Sequence, residues 1–209
     1  MFRLRLHDYL LAGLLFVGAV QAADDPFTFS PPEGWRPERI PFPLGFAPEM
    51  EYLGFEELRF GPGMFKPGSE TYWTYAFFWW VDGKQEFDAE TLKRDLERYY
   101  KGLSRAVGGS RNLRLDLAKV SAKVTAADSE TANGAEIHKV RHTAELKTYD
   151  AFVTGKLLDL RAEISVRHFP GVNRTWVWFS VAPKAAPQSV WKTMRSARES
   201  FRVRPTKRK

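Results

Sequence analysis

Cysteine is absent from this 209-residue chain. Its absence excludes disulfide staples, thiol catalysis, thiolate metal sites and iron–sulfur clusters. It also excludes lipid attachment through a cysteine following an apolar leader. Histidine is scarce: there are four, and His7 falls in the N-terminal leader. That leaves His138, His142 and His168 as imidazoles for general-base work. Phosphate-cradling loops of the Gly-x-Gly-x-x-Gly or Walker type do not occur, nor does a Gly-x-Ser-x-Gly nucleophile elbow. No cofactor and no metal centre is implied, and an enzyme is the weaker expectation. Carboxylate chemistry stays open, because paired acids leave little trace in a sequence.

What is present begins with the leader. Arg3 and Arg5 precede an apolar run, Tyr9–Val20, and small residues stand at Val20 and Ala22. This is the layout of a cleavable secretory signal over residues 1–22. The run falls short of the ~20 residues that span a bilayer, so no transmembrane segment is expected after cleavage. Residues 23–209 keep a net charge of +6, once two arginines and one aspartate leave with the signal. They are numerous enough for one core without covalent staples, and a single globular domain is expected. Cysteine-free export at this size points to a bacterial envelope protein, periplasmic or secreted. A pI of 9.6 in that compartment directs attention to anionic lipid, glycan or an envelope protein as partner, and away from nucleic acid. The cations are spread along the chain; the one run is the basic tail, residues 202–209.

Residues 23–68 hold nine of the thirteen prolines, interleaved with aromatics such as Phe27, Trp35, Phe42 and Phe60. Proline blocks helix interiors and central strands, and the aromatics argue against disorder. The expectation is an ordered N-terminal wrap with short strands at Phe27–Ser30 and Phe55–Phe60. Thr71–Val81, TYWTYAFFWWV, is apolar on both alternating faces and predicts a central strand covered on both sides. Asp88 then caps a helix whose apolar face is Leu92, Leu96, Tyr99, Tyr100, Leu103 and Val107, ended at Gly108-Gly109. Period-two patterning follows to Val181. It predicts four strands, with a bend near Ala118–Lys119 and a hairpin turn at Asn133-Gly134. A hairpin centred near Val153 makes facing residues sum to 306, which pairs His142 with Ile164 and His138 with His168. Pro187 opens a last helix with Val190, Trp191, Met194, Ala197 and Phe201 inward. The sum is an α+β fold: an antiparallel sheet of about six to seven strands, covered by two helices and the wrap as an α-β-α sandwich.

Three stretches resemble the PsbP-like fold family. Phe27–Trp35, FTFSPPEGW, is similar to its opening strand and Pro-x-Gly-Trp turn. Arg174–Val181, RTWVWFSV, is similar to its late aromatic strand, and Trp191–Val203 to its closing helix with a terminal Ser-Phe-x-Val. The segment Gly54–Val81 departs from that pattern. The resemblance implies an α-β-α sandwich serving as an assembly, stabilising or binding module without a catalytic centre of its own.

The candidate site residues are few. Glu57 and Arg59 share a strand face beside the Gly61–Gly63 turn, where exposed amides would complete a polar site; the plainer outcome is an ion pair. They also carry the alternative of a hydrolase acting on a glycan or ester. Trp35 and Trp73 are candidates for stacking on a sugar or apolar ligand, against the plainer outcome of core packing. His138 and His168, if paired, would offer two metal positions or a pH-responsive pair, with no third ligand in view. A third functional reading is a peripheral membrane protein steered by the basic tail.

Overall fold

The computed structural model describes residues 25–131 and 138–204, with the side chains of all except 128–131 and 138–140. The leader, the Asn133-Gly134 turn and residues 205–209 lie outside that range. The strands are β1 (Phe27–Thr28), β2 (Arg36–Pro41), β3 (Gly54–Phe60), β4 (Tyr75–Asp82), β5 (Ser121–Thr131), β6 (His138–Tyr149), β7 (Leu157–Phe169), β8 (Arg174–Pro183) and β9 (Arg202–Val203). The helices are α1 (Ala89–Ser110) and α2 (Gln188–Glu199). Seven strands form an antiparallel sheet in the order β2-β3-β4-β8-β7-β6-β5. The antiparallel α+β sandwich expected from the periodicity is present.

Every residue of β4 from Tyr75 to Val81 is buried. Tyr75, Phe77, Trp79 and Val81 join Leu92, Leu96, Tyr99 and Tyr100 of α1 in one apolar layer. Ala76, Phe78 and Trp80 join Val190, Trp191, Met194 and Ala197 of α2 in the other. Adjacent strands lock through rings: Phe77 stacks on Phe179 at 4.4 Å, and Phe78 on Trp178 at 5.9 Å. α1 is capped as its sequence predicts, with Asp88 accepting from the Thr91 amide at 2.8 Å. The β6–β7 register runs from Lys139 opposite Arg167 to Tyr149 opposite Leu157, with His142 facing Ile164. This is the predicted pairing.

Three expectations are corrected. The central strand starts at Tyr75: residues 71–73 form a turn in which Trp73 adopts φ 49°, so its first residues do not alternate. Arg36–Pro41, read as irregular wrap, is an edge strand. An edge tolerates Pro37 and Pro41 because one side of the strand needs no donors. Leu113, Leu115 and Leu117, read as a strand, precede and enter a 3₁₀ turn at Leu117–Lys119. They cover the end of α1, where Leu115 sits against Gly108 and the Leu113 amide bonds the Gly108 carbonyl at 2.8 Å. The bend expected near Ala118–Lys119 is present as that 3₁₀ turn, and the β5–β6 register shifts separately between Ala126 and Asp128.

The two ends of the described chain meet. Phe27 pairs with Val203 and Thr28 with Arg202, and the Arg204 amide donates to the Pro26 carbonyl at 2.7 Å. Among the described residues no helix is long and apolar enough to cross a membrane.

Candidate functional site

Of the sequence-predicted residues whose side chains are described, Glu57 and Arg59 meet as an ion pair, while Trp35, Trp73 and His168 lie in other surroundings. Glu57 lies on the α2 side of the sheet between two guanidiniums: Arg39 Nε at 2.5 Å and Arg59 at 2.6 Å. Arg39 continues to Asp25 at 2.7 Å and lies over the Phe55 ring, while Arg59 lies over Phe29. These ion pairs fasten β2 and β3 to the N-terminal segment. The amides expected to open beside them are used internally: Gly61 N–H donates to the Thr74 carbonyl and Gly63 N–H to the Thr71 hydroxyl. Glu57 is thus held by two cations and lines neither of two hollows, one at the start of α1 and one beside α2.

Trp73 is 1 % exposed, packed near Phe152 and Tyr75, so it offers no stacking face. Trp35 is half-buried against the α2-side layer. His168 faces Thr175 across β7 and β8, with Nδ1 3.4 Å from the Thr175 hydroxyl. His138 pairs through its backbone with Thr131, and its side chain lies outside the described residues. No cluster of three or more metal-ligating side chains exists among the described residues.

A cleft of about 550 Å³ opens instead where the chain enters α1. Its walls are the segment Glu49–Leu53, the turn Asp82–Gln85 with Asn173, and Arg94, Asp95 and Arg98 of α1. Helical spacing puts Arg94 and Arg98 on one side of α1, four residues apart. Asp95, 1 % exposed, anchors the wall: the Tyr52 hydroxyl donates to it at 2.5 Å, Arg94 Nε at 3.0 Å, and Arg98 stands 3.6 Å away. Burial, and then Asp95 itself, push the Tyr52 phenol well above its usual range, so it stays a donor. Arg98 also reaches the Glu49 carbonyl at 3.2 Å, which ties the loop to the helix. The opposite wall is set by Thr175, whose hydroxyl donates to the Gly83 carbonyl and accepts from the Gln85 amide. His168 thus touches the support of the cleft without lining it. Leu53 stands at the rim with 64 % exposure. Nothing in the hydropathy pattern marks this cleft.

Two buried groups were not singled out by the sequence. Glu56 is fully buried on the α1 side, accepting from the Trp79 indole at 3.3 Å; burial pushes its carboxyl up to about 8. His142 is 3 % exposed on the same side, and burial lowers its basicity. Ser189-Val190-Trp191-Lys192 has the Ser-x-x-Lys spacing of some nucleophile motifs. Ser189 and Lys192 are both exposed on the first turn of α2, and Ser189 lines neither hollow, so nothing there desolvates a nucleophile.

No family model and no curated protein matches the chain. Among solved structures it is similar to the cyanobacterial PsbP of Synechocystis sp. PCC 6803, with TM-score 0.44 and 11 % identity over 87 % of this chain and 88 % of that one. It is similar to the Ran-binding protein Mog1p of Saccharomyces cerevisiae, with TM-score 0.39 and 9 % identity over 82 % and 97 %. A third is LpqN, involved in cell envelope biogenesis of Mycobacterium tuberculosis, with TM-score 0.35 and 12 % identity over 88 % and 88 %. These are likenesses of fold.

Proposed function

We propose that this chain is an exported envelope protein with a non-catalytic binding role, and that the cleft around Leu53 receives a polypeptide partner. Export rests on the leader: Arg3 and Arg5, the apolar run Tyr9–Val20, and the small residues before a cut at Ala22. The binding reading rests on one observation: a leucine 64 % exposed, on the rim of a 550 Å³ cleft that also carries Glu49, Glu51, Arg94 and Arg98. An apolar anchor ringed by charges of both signs is the chemistry of protein recognition. The acidic groups best placed for catalysis serve structure. Glu57 binds two arginines, Asp95 a tyrosine and two arginines, and Asp150 caps a turn through the Val153 and Thr154 amides.

The test passes envelope extract over the immobilised protein and over a Leu53→Asp, Arg94→Glu variant of equal thermal stability. A component retained at moderate salt by the parent and released by the variant is the expected result. Retention of nothing by the parent, or equal retention by both, removes the cleft as a binding site.

A further inference from the structure

Glu56 has no exposed surface, and one of its oxygens accepts from the Trp79 indole at 3.3 Å. Its second oxygen is buried without a hydrogen-bond partner. The guanidiniums nearest in sequence, Arg39 and Arg59, lie on the opposite face with Glu57. A carboxyl so placed favours its neutral form, because the ionised form meets neither water nor a cation. Glu38, on β2 and two residues from the position opposite Glu56, shares its face, and its charge opposes a second one there. The other titratable neighbours are Tyr99 and Tyr100 of α1 and Tyr75 of β4, all held neutral by burial well above the usual phenol range. His142 faces the same side from β6, beside Phe87 and Asp88.

What covers Glu56 is a loop. Ile40 stands opposite it on β2, and residues 42–53 return from there to β3, with the Phe42 amide donating to the Gly54 carbonyl at 3.0 Å. The loop's ends are thus adjacent, the form of a compact Ω-loop packed by its own side chains. Phe42, Leu44, Ala47 and Met50 are buried in the α1-side layer. Phe42 meets the Trp79 ring edge-on at 6.2 Å, and Tyr52 stacks on the same indole at 6.3 Å. The loop also carries Glu49–Leu53, one wall of the 550 Å³ cleft. It is tied to the other wall by the Tyr52 hydroxyl on Asp95 and by Arg98 on the Glu49 carbonyl. Of the elements around Glu56, β4 lies inside the sheet and α1 packs along it, whereas β2 is an edge bonded on one side only. Arg39, fixed to Glu57 and Asp25, bounds the loop on one side, and Gly54, at φ 123°, bounds it on the other. Lifting this loop is the least disruptive way to bring water to Glu56.

We propose that residues 42–53 form a flap latched shut by the proton on Glu56, and that the loop wall of the cleft loosens as that proton is lost. Burial raises the Glu56 carboxyl from 4.5 to about 8 while the flap is closed, and lifting the flap returns it toward 4.5. Closure is therefore strongest below pH 4.5 and weakens as pH rises toward 8. Opening should grow about tenfold for each pH unit between pH 5 and pH 8 and level off above that. That the flap gates binding rests on the reading of the cleft above; the latch itself does not.

Amide hydrogen exchange on the protein recovered from exporting cells tests this without any partner, followed from acid to alkaline pH and corrected for the intrinsic pH dependence of exchange. The Phe42, Ala47 and Met50 amides, each bonded within the loop or at its base, should exchange faster than those of β7 and β8. Their protection should fall about tenfold per pH unit up to pH 8. Glu56→Gln should remove that fall. Glu38→Gln leaves Glu56 in place and should move the levelling point to lower pH, a shift that does not depend on how Glu56→Gln folds. The latch is overturned if the flap amides exchange no faster than those of β7 and β8, since only global unfolding then uncovers Glu56. It is equally overturned by protection that does not change with pH, or by an undiminished fall in Glu56→Gln. Because nothing is bound in this experiment, failure of the latch and failure of the cleft as a binding site are read separately.

Discussion

Glu56 and Glu57 are neighbours on β3 with opposite fates. Their adjacency already requires that they point to opposite faces. Both are buried, so what separates them is their partners, which GFEELRF does not show: Glu57 meets guanidiniums on its face and Glu56 does not. The sequence drew attention to Glu57 through Arg59, and that pair is real, but it is one link of a chain from Asp25 through Arg39. Glu56 is the chemically unusual one. Burial first, and the nearby Glu38 carboxyl further, raise it from 4.5 to about 8, while the Tyr99 hydroxyl and Trp79 indole oppose the rise. Its folded value lies above its unfolded value, so its contribution is full below pH 4.5 and is lost as pH rises through 8. Across that window the loss approaches about 5 kcal/mol. Thermal melts should therefore fall steadily from pH 5 to pH 8 and level off above it, and Glu56→Gln should flatten that slope. A slope unchanged in the variant would assign the pH dependence elsewhere. Glu57→Ala should cost about 3–5 kcal/mol by denaturant titration, since it strands two partly buried guanidiniums. A cost under about 1 kcal/mol would make the cluster an ordinary surface pair.

At the scale of elements, what the sequence specified best was what period and caps specify best. α1 was legible from its Asp88 cap and its apolar stripe. The β6–β7 register was legible because a seven-residue loop, Asp150–Lys156, fixes the sum of facing residues. β2 was not legible, since two prolines outweigh everything else in RPERIP until its edge position is known. The site was not legible either, because Glu49–Leu53, Asp82–Gln85 and α1 meet through tertiary contacts that no local pattern encodes. β4 carries the clearest element-scale prediction. Phe77→Asp places a carboxylate between Phe179 and Tyr99, both stacked on Phe77, and should abolish near-ultraviolet circular dichroism. A second prediction concerns how α1 approaches the wrap. A Cβ on Gly102 would fall 1.9 Å from the Phe46 carbonyl oxygen, a backbone atom that cannot step aside alone. Gly102→Ala should therefore destabilise by several kcal/mol, although helix propensity by itself would favour alanine by about 1 kcal/mol. A variant as stable as the parent would show that the wrap yields.

The molecule as a whole is closed by its ends. β1 and β9 are two residues each, too short to pair by hydrogen bonds alone. What holds them is Phe201, which lies outside α2, is 3 % exposed, and contacts Phe27 at 5.2 Å, Trp176 at 4.8 Å and Phe78 at 5.4 Å. The sequence placed Phe201 on the helix face and missed that it is the rivet between the first and last described segments. It also read the charge by runs of cations, and so found only residues 202–209. The larger asymmetry comes from missing acids, one in the last 22 residues, which no run of cations displays. If the ends act as one clasp, Phe201→Ala should cost about 3–5 kcal/mol, as for a phenylalanine deep in a core. Phe27→Ala should cost a similar amount, and the double variant clearly less than the sum, because each ring is the other's partner. Truncation after Arg204 should leave the melting temperature within a few degrees of the parent, whereas truncation after Ser200 should lower it as much as Phe201→Ala does. Additive single costs, or a chain ending at Ser200 that melts like the parent, would mean that the sheet and its two helices stand without the clasp.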